Sequence, residues 1–535
     1  MNTVDTTPGF RPRVAVIAPP YPLEEAPAPP LGVCYVAAAF ERAGADVRIF
    51  DYVVSAYSES KLRAAMQEFA PHVVGSTSVT LNYHAAASVL EKAKEIDPGV
   101  ITVMGGPHVS FYSDQTLETC PGIDLVVAGE GEATIAELTP RLLDRSAWRD
   151  IAGLVFRDNG RIRHTGRRAF IQDLDNLPMP ARHLLPLSRY KALGFPVSII
   201  TSRGCPNQCI FCQGRRMVGG KVRFRDPSLV ADEIEYLLSL GFNRINVADD
   251  LFTANRRRVS QLCGEIKRRK LEFGWSAFSR VNTIDEKTVR IMKDAGCDCI
   301  SFGVESGNPE MLARIKKGIT LDKARRAVQI CKDNGVLAHA SFMVGLPGET
   351  PETLADTEAF ARELDVLYGY HFLAPFPGTT LYEKRDEYDI EILTDDWSLY
   401  DANRPVVRTS RVGPEQMIEF VKRYDAECDA EWTAMTERYT RGTASGDERL
   451  RVEGQRKLDM VFRVLSEDLV ERHGAMNGVR DPQKALAVLS DRLAAECGKT
   501  PELVTGTLEA FVLSGFLRLE SAADGARWQW APNRE

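Results

Sequence analysis

Three cysteines within eight residues are the densest reactive feature of this 535-residue chain. They lie in Thr201-Ser202-Arg203-Gly204-Cys205-Pro206-Asn207-Gln208-Cys209-Ile210-Phe211-Cys212, a glycine-bearing loop behind an apolar segment. Three thiolates held this close can converge on one soft metal centre. A closed zinc site would take a fourth Cys or His from nearby, and none lies between Cys212 and Cys263. Three ligands instead leave one iron of a four-iron cluster open to a substrate or cofactor. The other cysteines are Cys34, Cys120, Cys263, Cys297, Cys299, Cys331, Cys428 and Cys497. On a strand, Cys297 and Cys299 share one face beside apolar neighbours, so they read as packing groups.

A reactive loop needs rigid elements around it, and the chain alternates short apolar strands with amphipathic helices on both sides. After residue 197, strands are expected at 197–202, 244–248, 275–279, 299–303, 339–344 and 369–373. Six βα units are too few for an eight-unit barrel, so residues 197–384 read as an open, partial (β/α)6 barrel. Residues 13–145 give strands Arg13–Ala18, Val47–Asp51, Val73–Ser78, Ile101–Met104 and Asp124–Ala128. With helices at 32–44, 59–70, 82–96 and 132–143, this reads as a doubly wound, flavodoxin-like α/β domain. Ligands on such sheets sit at the carboxyl ends of the strands. Residues 146–196 form a connector, with a hairpin turning at Asp158-Asn159-Gly160 and a boundary at Leu177-Pro178-Met179-Pro180. Residues 385–535 are mainly helical, with a substrate-binding or winged-helix-like end.

The composition narrows the function classes. With 67 basic and 74 acidic residues the formal charge is −7, which argues against a general nucleic-acid or anionic-membrane binder. From Thr440 onward the count is 14 basic and 15 acidic, a poor balance for phosphate contacts. No apolar run reaches the ~18 residues of a membrane span. The first 12 residues lack the basic-then-apolar order of a signal peptide, so a reducing cytoplasm is expected.

The C-x3-C-x2-C spacing, with Phe211 before the last cysteine, resembles the signature of radical S-adenosylmethionine (SAM) enzymes. That resemblance implies a [4Fe-4S] cluster on Cys205, Cys209 and Cys212 whose open iron chelates SAM. Reductive cleavage of SAM then gives methionine and a 5′-deoxyadenosyl radical, with electrons from an external carrier such as flavodoxin or ferredoxin. Later segments are similar to the family's SAM-binding motifs in the same order. Val247-Ala248-Asp249-Asp250 stands where the second strand meets the SAM amino group, although the family's glycine-glycine-glutamate is replaced. Arg280 ends the third strand and would pair with the SAM carboxylate. Ser301-Phe302-Gly303-Val304-Glu305-Ser306-Gly307 matches the fourth-strand segment. Phe342-Met343-Val344-Gly345-Leu346-Pro347-Gly348-Glu349-Thr350 matches the adenine side, and Pro375-Phe376-Pro377-Gly378-Thr379 the turn closing the sixth strand. The resemblance thus assigns Phe211, Asp249, Asp250, Arg280, Glu305, Ser306 and Gly345 to SAM.

An α/β domain ahead of such a core resembles the cobalamin-binding (class B) members of the family, and the likeness covers roughly residues 13–380. Pro29-Pro30-Leu31-Gly32, Gly105-Gly106-Pro107-His108 and Gly129-Glu130-Gly131-Glu132 match that class. It implies cobalamin contacts from Leu31, Gly32, Gly105, Gly106, Gly129 and Gly131, and from Ser76, Thr77 and Ser78 at the nucleotide tail. The first loop, Pro19-Pro20-Tyr21-Pro22-Leu23-Glu24-Glu25, lacks the Asp-x-His-x-x-Gly that binds cobalt from below in methionine synthase-like domains. His72, His84 and His108 are accordingly not assigned to cobalt. The activity implied is methylation of an unactivated carbon of a small molecule. Cyclisation, oxidation or rearrangement, with or without cobalamin, is the alternative within the family. A cobalamin-responsive regulator is the alternative from another class, and the cysteine triad argues against it.

Overall fold

Two parallel sheets result from the alternation of apolar strands and amphipathic helices. The computed structural model describes residues 11–22, 28–522 and 525–533. Leu23 to Glu25 of the first loop lie outside them. The first sheet comprises β1 (Arg13–Ala18), β2 (Asp46–Asp51), β3 (Val73–Thr77), β4 (Ile101–Gly105), β5 (Leu125–Val127), β6 (Leu154–Asp158) and β7 (Arg161–His164). Its order is β2-β1-β3-β4-β5-β6-β7, the flavodoxin-like order extended by an antiparallel hairpin. The hairpin is therefore not a free-standing connector, because β6 pairs with β5 along Leu125–Val127. Its turn places both central residues at positive φ, Asn159 at 51° and Gly160 at 77°, which matches the right-handed twist of the flanking strands.

The second sheet begins with β8 (Val197–Ile199). A two-stranded ribbon of β9 (Ser202–Arg203) and β10 (Arg223–Phe224) follows and frames the cysteine loop. The sheet continues through β11 (Arg244–Val247), β12 (Gly274–Ser279), β13 (Cys297–Glu305), β14 (Leu337–Val344) and β15 (Leu367–Phe372). These six strands are all parallel and pair in chain order, the layout of an open partial barrel. Trp275, Phe302 and Phe342 are buried in or beside its core, as are Cys263, Cys297 and Cys331.

Beyond the barrel, β16 (Glu391–Ile392) pairs with β17 (Val407–Arg408) and leads into the long helix Pro414–Thr440. After the helix Gly446–Ser466 come β18 (Ala475–Asn477), the helices Pro482–Cys497 and Pro501–Leu513, then β19 (Leu517–Ala522) and β20 (Gly525–Trp530). The antiparallel order β18-β20-β19 with two helices after the first strand is a winged-helix-type arrangement. Helix Pro501–Leu513 carries Glu502 and Glu509 and no Lys or Arg. This unit packs on the helix Leu187–Leu193, with Phe462 stacked on Phe195 at 6.2 Å.

Asp468 ties the unit to the first sheet. Its carboxylate, 6% exposed, accepts from Ser55 Oγ (3.0 Å) and the Ala56 amide (3.0 Å), and also pairs with Lys61 and Arg189. Replacing Asp468 by Ala strands those partners, so the melting temperature should fall by about 5 °C, read by thermal unfolding of purified protein.

Candidate active site

The cysteine loop is pinned from three sides. Cys205 N donates to Gly219 O (3.1 Å), Ile210 N to Ile315 O (3.2 Å), and Leu381 N to Ile210 O (2.9 Å). Gly204 has φ +108°, and a Cβ there would stand 2.4 Å from Lys221 O, so the ribbon closes only over glycine. The loop leaves Cys205 and Cys209 half-buried and Cys212 exposed, all lining one cavity of about 300 Å³. Asn207 donates to Cys205 Sγ at 3.2 Å, and Arg280 Nη1 approaches Cys209 Sγ at 3.5 Å. Iron binds the thiolate form of each cysteine, so loading the cluster releases protons.

Among the described residues no three His, Cys, Asp or Glu side chains close on a single ion. A four-iron cluster does not require that, because each thiolate binds a different iron and the sulfurs stay apart. Three sulfurs around one cavity, with two N–H donors aimed at them, fit such a cluster.

Arg280 and Glu305 stand on strand ends beside this loop. Arg280 is buried, its Nη2 donates to Lys317 O, and its Nε has no partner. Glu305 follows an irregularity in the β13–β14 register and sits at φ +72°, rare for a non-glycine residue. Its Oε1 meets Lys317 Nζ at 2.6 Å, and that ammonium stands 5.8 Å from the Phe211 ring centroid. Lys317 had no signal in the sequence, since nothing about its spacing points to Glu305.

Two assigned residues make local contacts of their own, and a third lies outside the cavity assigned to it. Asp249 accepts from Thr201 N, Thr201 Oγ1 and Ser202 Oγ, each at 2.6 Å, which ties β8 to β11. Burial pushes its carboxyl up, and those donors oppose the shift. Ser306 Oγ meets Thr357 Oγ1 (3.1 Å) and accepts from Asn308 N (3.1 Å), opening the next helix. Ser78 is fully buried with an unpartnered hydroxyl and does not line the cavity described next. Asp250, by contrast, lines that cavity and accepts from Gly204 N (3.2 Å). Gly345, at φ +91°, is packed on Val407 and Met417. Its amide donates to Glu349 Oε2 at 2.6 Å.

Leu31, Gly32, Ser76, Thr77, Gly105, Gly106, Gly129 and Gly131 all line a single cavity of about 330 Å³. Its other wall belongs to the barrel: Arg203, Met217, Val218, Ala248 and Asp250. A Cβ on Gly32 or Gly129 would meet nothing within 4 Å, so both leave open room for a bulky ligand. Gly106, at φ +105°, differs: a Cβ there would strike Ser78 O at 2.4 Å. No histidine among the described residues lines this cavity. His108 is instead core, with Nδ1 3.2 Å from Thr80 Oγ1, and burial lowers its pKa to about 3. This glycine-floored space between the strand ends of two sheets fits cobalamin bound without an imidazole from the chain.

Arg203, Arg223, Glu130 and Glu132 form a buried ion network across the same interface. Glu130 meets Arg223 through both oxygens (2.9 Å each) and Arg203 at 3.2 Å, while Glu132 meets Arg203 at 2.5 Å. Sequence reading singled out the glycines around these glutamates and passed over the charges.

A thiolate loop at the carboxyl end of a partial barrel, facing a glycine-floored cavity, defines an iron–sulfur enzyme with a second large cofactor. Family comparison agrees: the radical SAM superfamily profile matches residues 199–361 and the B12 binding domain profile residues 25–139. The chain is 37% identical over 398 residues to the uncharacterized methyltransferase PH0819 of Pyrococcus horikoshii, covering 74% of this chain and 86% of that protein. It is 30% identical over 409 residues to the anaerobic magnesium-protoporphyrin IX monomethyl ester cyclase of Rubrivivax gelatinosus, covering 74% and 72%. The cobalamin-dependent SAM radical enzyme OxsB, solved with aqua-cobalamin and SAM, shares the fold at TM-score 0.69 and 16% identity, over 95% of this chain and 84% of that one. The chain belongs to the B12-binding radical SAM family. It is a radical SAM enzyme whose cofactors are a [4Fe-4S] cluster, SAM and cobalamin.

Two outcomes follow from the geometry. Anaerobic reconstitution should load about four irons per chain, and Cys209→Ala should lose the iron–sulfur absorbance. Burial raises the Glu349 carboxyl to about 8, and the Gly345 and Leu346 amides pull against it. The stability of its protonated form is therefore present below the unfolded carboxyl value and lost as pH rises through about 8. Glu349→Gln should raise the melting temperature at pH 9 and change it little at pH 5.

Proposed function

We propose that the enzyme methylates an unactivated carbon of a small-molecule substrate. The observation that carries this reading is the shared cavity, lined on one side by the strand ends of the first sheet and on the other by Arg203, Met217, Ala248 and Asp250 of the barrel. A substrate activated near the cluster loop then lies within reach of the cofactor held by the first sheet. When bound, the cluster with SAM supplies hydrogen-atom abstraction, and cobalamin supplies the methyl group.

The chain's own residues bind, orient and shield. Cys205, Cys209 and Cys212 hold the cluster. Arg280, with Nη1 3.5 Å from Cys209 Sγ and Nε unpartnered, offers a charge-assisted contact to the SAM carboxylate. Glu305, held by Lys317, and Phe211 flank the same loop. Asp250 faces the cobalamin side, where Val16, Val103, Val127 and Ile135 keep water from the cavity. The exposed Cys212 edge gives a one-electron carrier such as flavodoxin or ferredoxin its approach, in a reducing cytoplasm.

The methyltransferase name of the Pyrococcus horikoshii relative supports methyl transfer, and the cyclase name of the Rubrivivax gelatinosus relative supports a second reading, radical ring formation. Product analysis separates them. Anaerobic turnover with a small-molecule extract should yield deoxyadenosine together with S-adenosylhomocysteine. Deoxyadenosine alone, with substrate consumed, would move the reading to cyclisation or oxidation. Arg280→Ala should slow deoxyadenosine formation at least about tenfold, as expected for one lost contact to a charged group.

A further inference from the structure

A third cavity, of about 620 Å³, lies where the β6–β7 hairpin meets the cluster loop. Gly129, Glu130 and Met217 line both it and the cobalamin cavity, and Arg216 lines both it and the cluster cavity. It therefore borders both centres without being part of either.

Its walls are two braced aromatic rings. Phe111 lies against Gly378, where a Cβ would stand 2.3 Å from the ring, and the Arg216 guanidinium is 5.6 Å from its centroid. Phe170 lies against Gly219, where a Cβ would stand 3.1 Å from the ring, and the Arg223 guanidinium is 5.4 Å from its centroid. Leu154 and Val155 add apolar surface.

The charges lining this cavity are nearly all spent. Arg168 pairs with Glu137, Arg216 with Glu383, and His164 with Asp114 at 2.7 Å. Glu130 is consumed by Arg203 and Arg223. Arg167 also lines the cavity, is exposed, and makes no ion pair or hydrogen bond among the described residues. One uncompensated guanidinium beside aromatic walls selects an oxyanion attached to an apolar, planar body.

We propose that this cavity is the substrate's port and resting place, and that the substrate is a small anionic molecule with an apolar body whose oxyanion, carboxylate or phosphate, sits on Arg167. The inference rests on the methyl-transfer reading for what happens next, but its test does not.

Calorimetric titration of anaerobic, cobalamin-loaded protein with 1-naphthoate, 1-naphthyl phosphate and neutral 1-naphthalenemethanol reads the site directly. The anions should bind at least about tenfold tighter than the alcohol, and the tighter of the two names the oxyanion. Arg167→Glu should weaken both anions about tenfold and leave the alcohol within about twofold, with Arg167→Lys restoring most of the loss. Ala169→Trp, which places a bulky ring on the cavity wall, should weaken all three. Three results would overturn the proposal: anion affinity unchanged in Arg167→Glu, binding undiminished in Ala169→Trp, or probe binding seen only in cobalamin-free protein. If the probes behave as expected while S-adenosylhomocysteine never forms, the port stands and the methyl-transfer reading falls.

Discussion

The carboxylate of Glu130 is the contact on which the two halves of the enzyme depend. It lies just after β5 of the first sheet, yet its partners are Arg203 on β9, Arg223 on β10 and the Ile171 amide at 2.8 Å. Ions taken out of water cost on the order of several kcal/mol each unless geometry and further hydrogen bonds offset it. Here they do. Burial alone would lower the Arg203 guanidinium, but Glu132 and Glu130 hold it above its ordinary value. Its charge also lies 5.3 Å from the Tyr35 ring centroid. Arg203 is two residues before Cys205, so the network that closes the cobalamin cavity also fixes where the cluster loop begins.

The loop itself shows how a barrel places a reactive group without burying it. The β9–β10 ribbon sets its two ends, and the loop leaves its three sulfurs around one cavity, with Cys209 Sγ facing Arg280. Across the cavity, the register irregularity at Gly303 and Glu305 turns a carboxylate out of the strand's alternation. Lys317 then neutralises it, and the same lysine's carbonyl accepts from Arg280. A cation, an ion pair and three thiols thus share one backbone-braced patch, the arrangement that preorganised electrostatics requires.

Periodicity carried most of the architecture. Alternating apolar segments marked five strands of the first sheet and six of the second, because parallel strands buried on both faces leave continuous apolar runs. Asn159-Gly160 announced the hairpin, but not that it would extend the first sheet, since pairing with β5 is a tertiary choice. β18 escaped notice because three residues carry no period. The cysteine triad and the cavity glycines were legible because their spacing is local. The ion network was not, because Arg203 lies 73 and 71 residues from the glutamates it meets. Asp249 and Ser306 also make contacts that spacing does not announce, because short polar side chains at strand ends bond nearby backbone and hydroxyl groups.

The carboxyl-terminal region serves the scaffold through two separate attachments. An open barrel leaves β15 as an edge, a liability unless covered. The helix Pro414–Thr440 covers it: Phe420 meets Tyr370 at 4.9 Å between ring centroids, and Tyr424 meets Tyr368 at 4.8 Å. Met417 of the same helix packs on Gly345, so the cover reaches the end of β14. The winged-helix-type unit works elsewhere, clamping the helix Leu187–Leu193 and the first sheet through Asp468. Its second helix offers no cation to a phosphate backbone, and Asp468 and Glu471 already hold Arg189. A fold often used on nucleic acid is here a brace between the helix Leu187–Leu193 and the segment that follows β2.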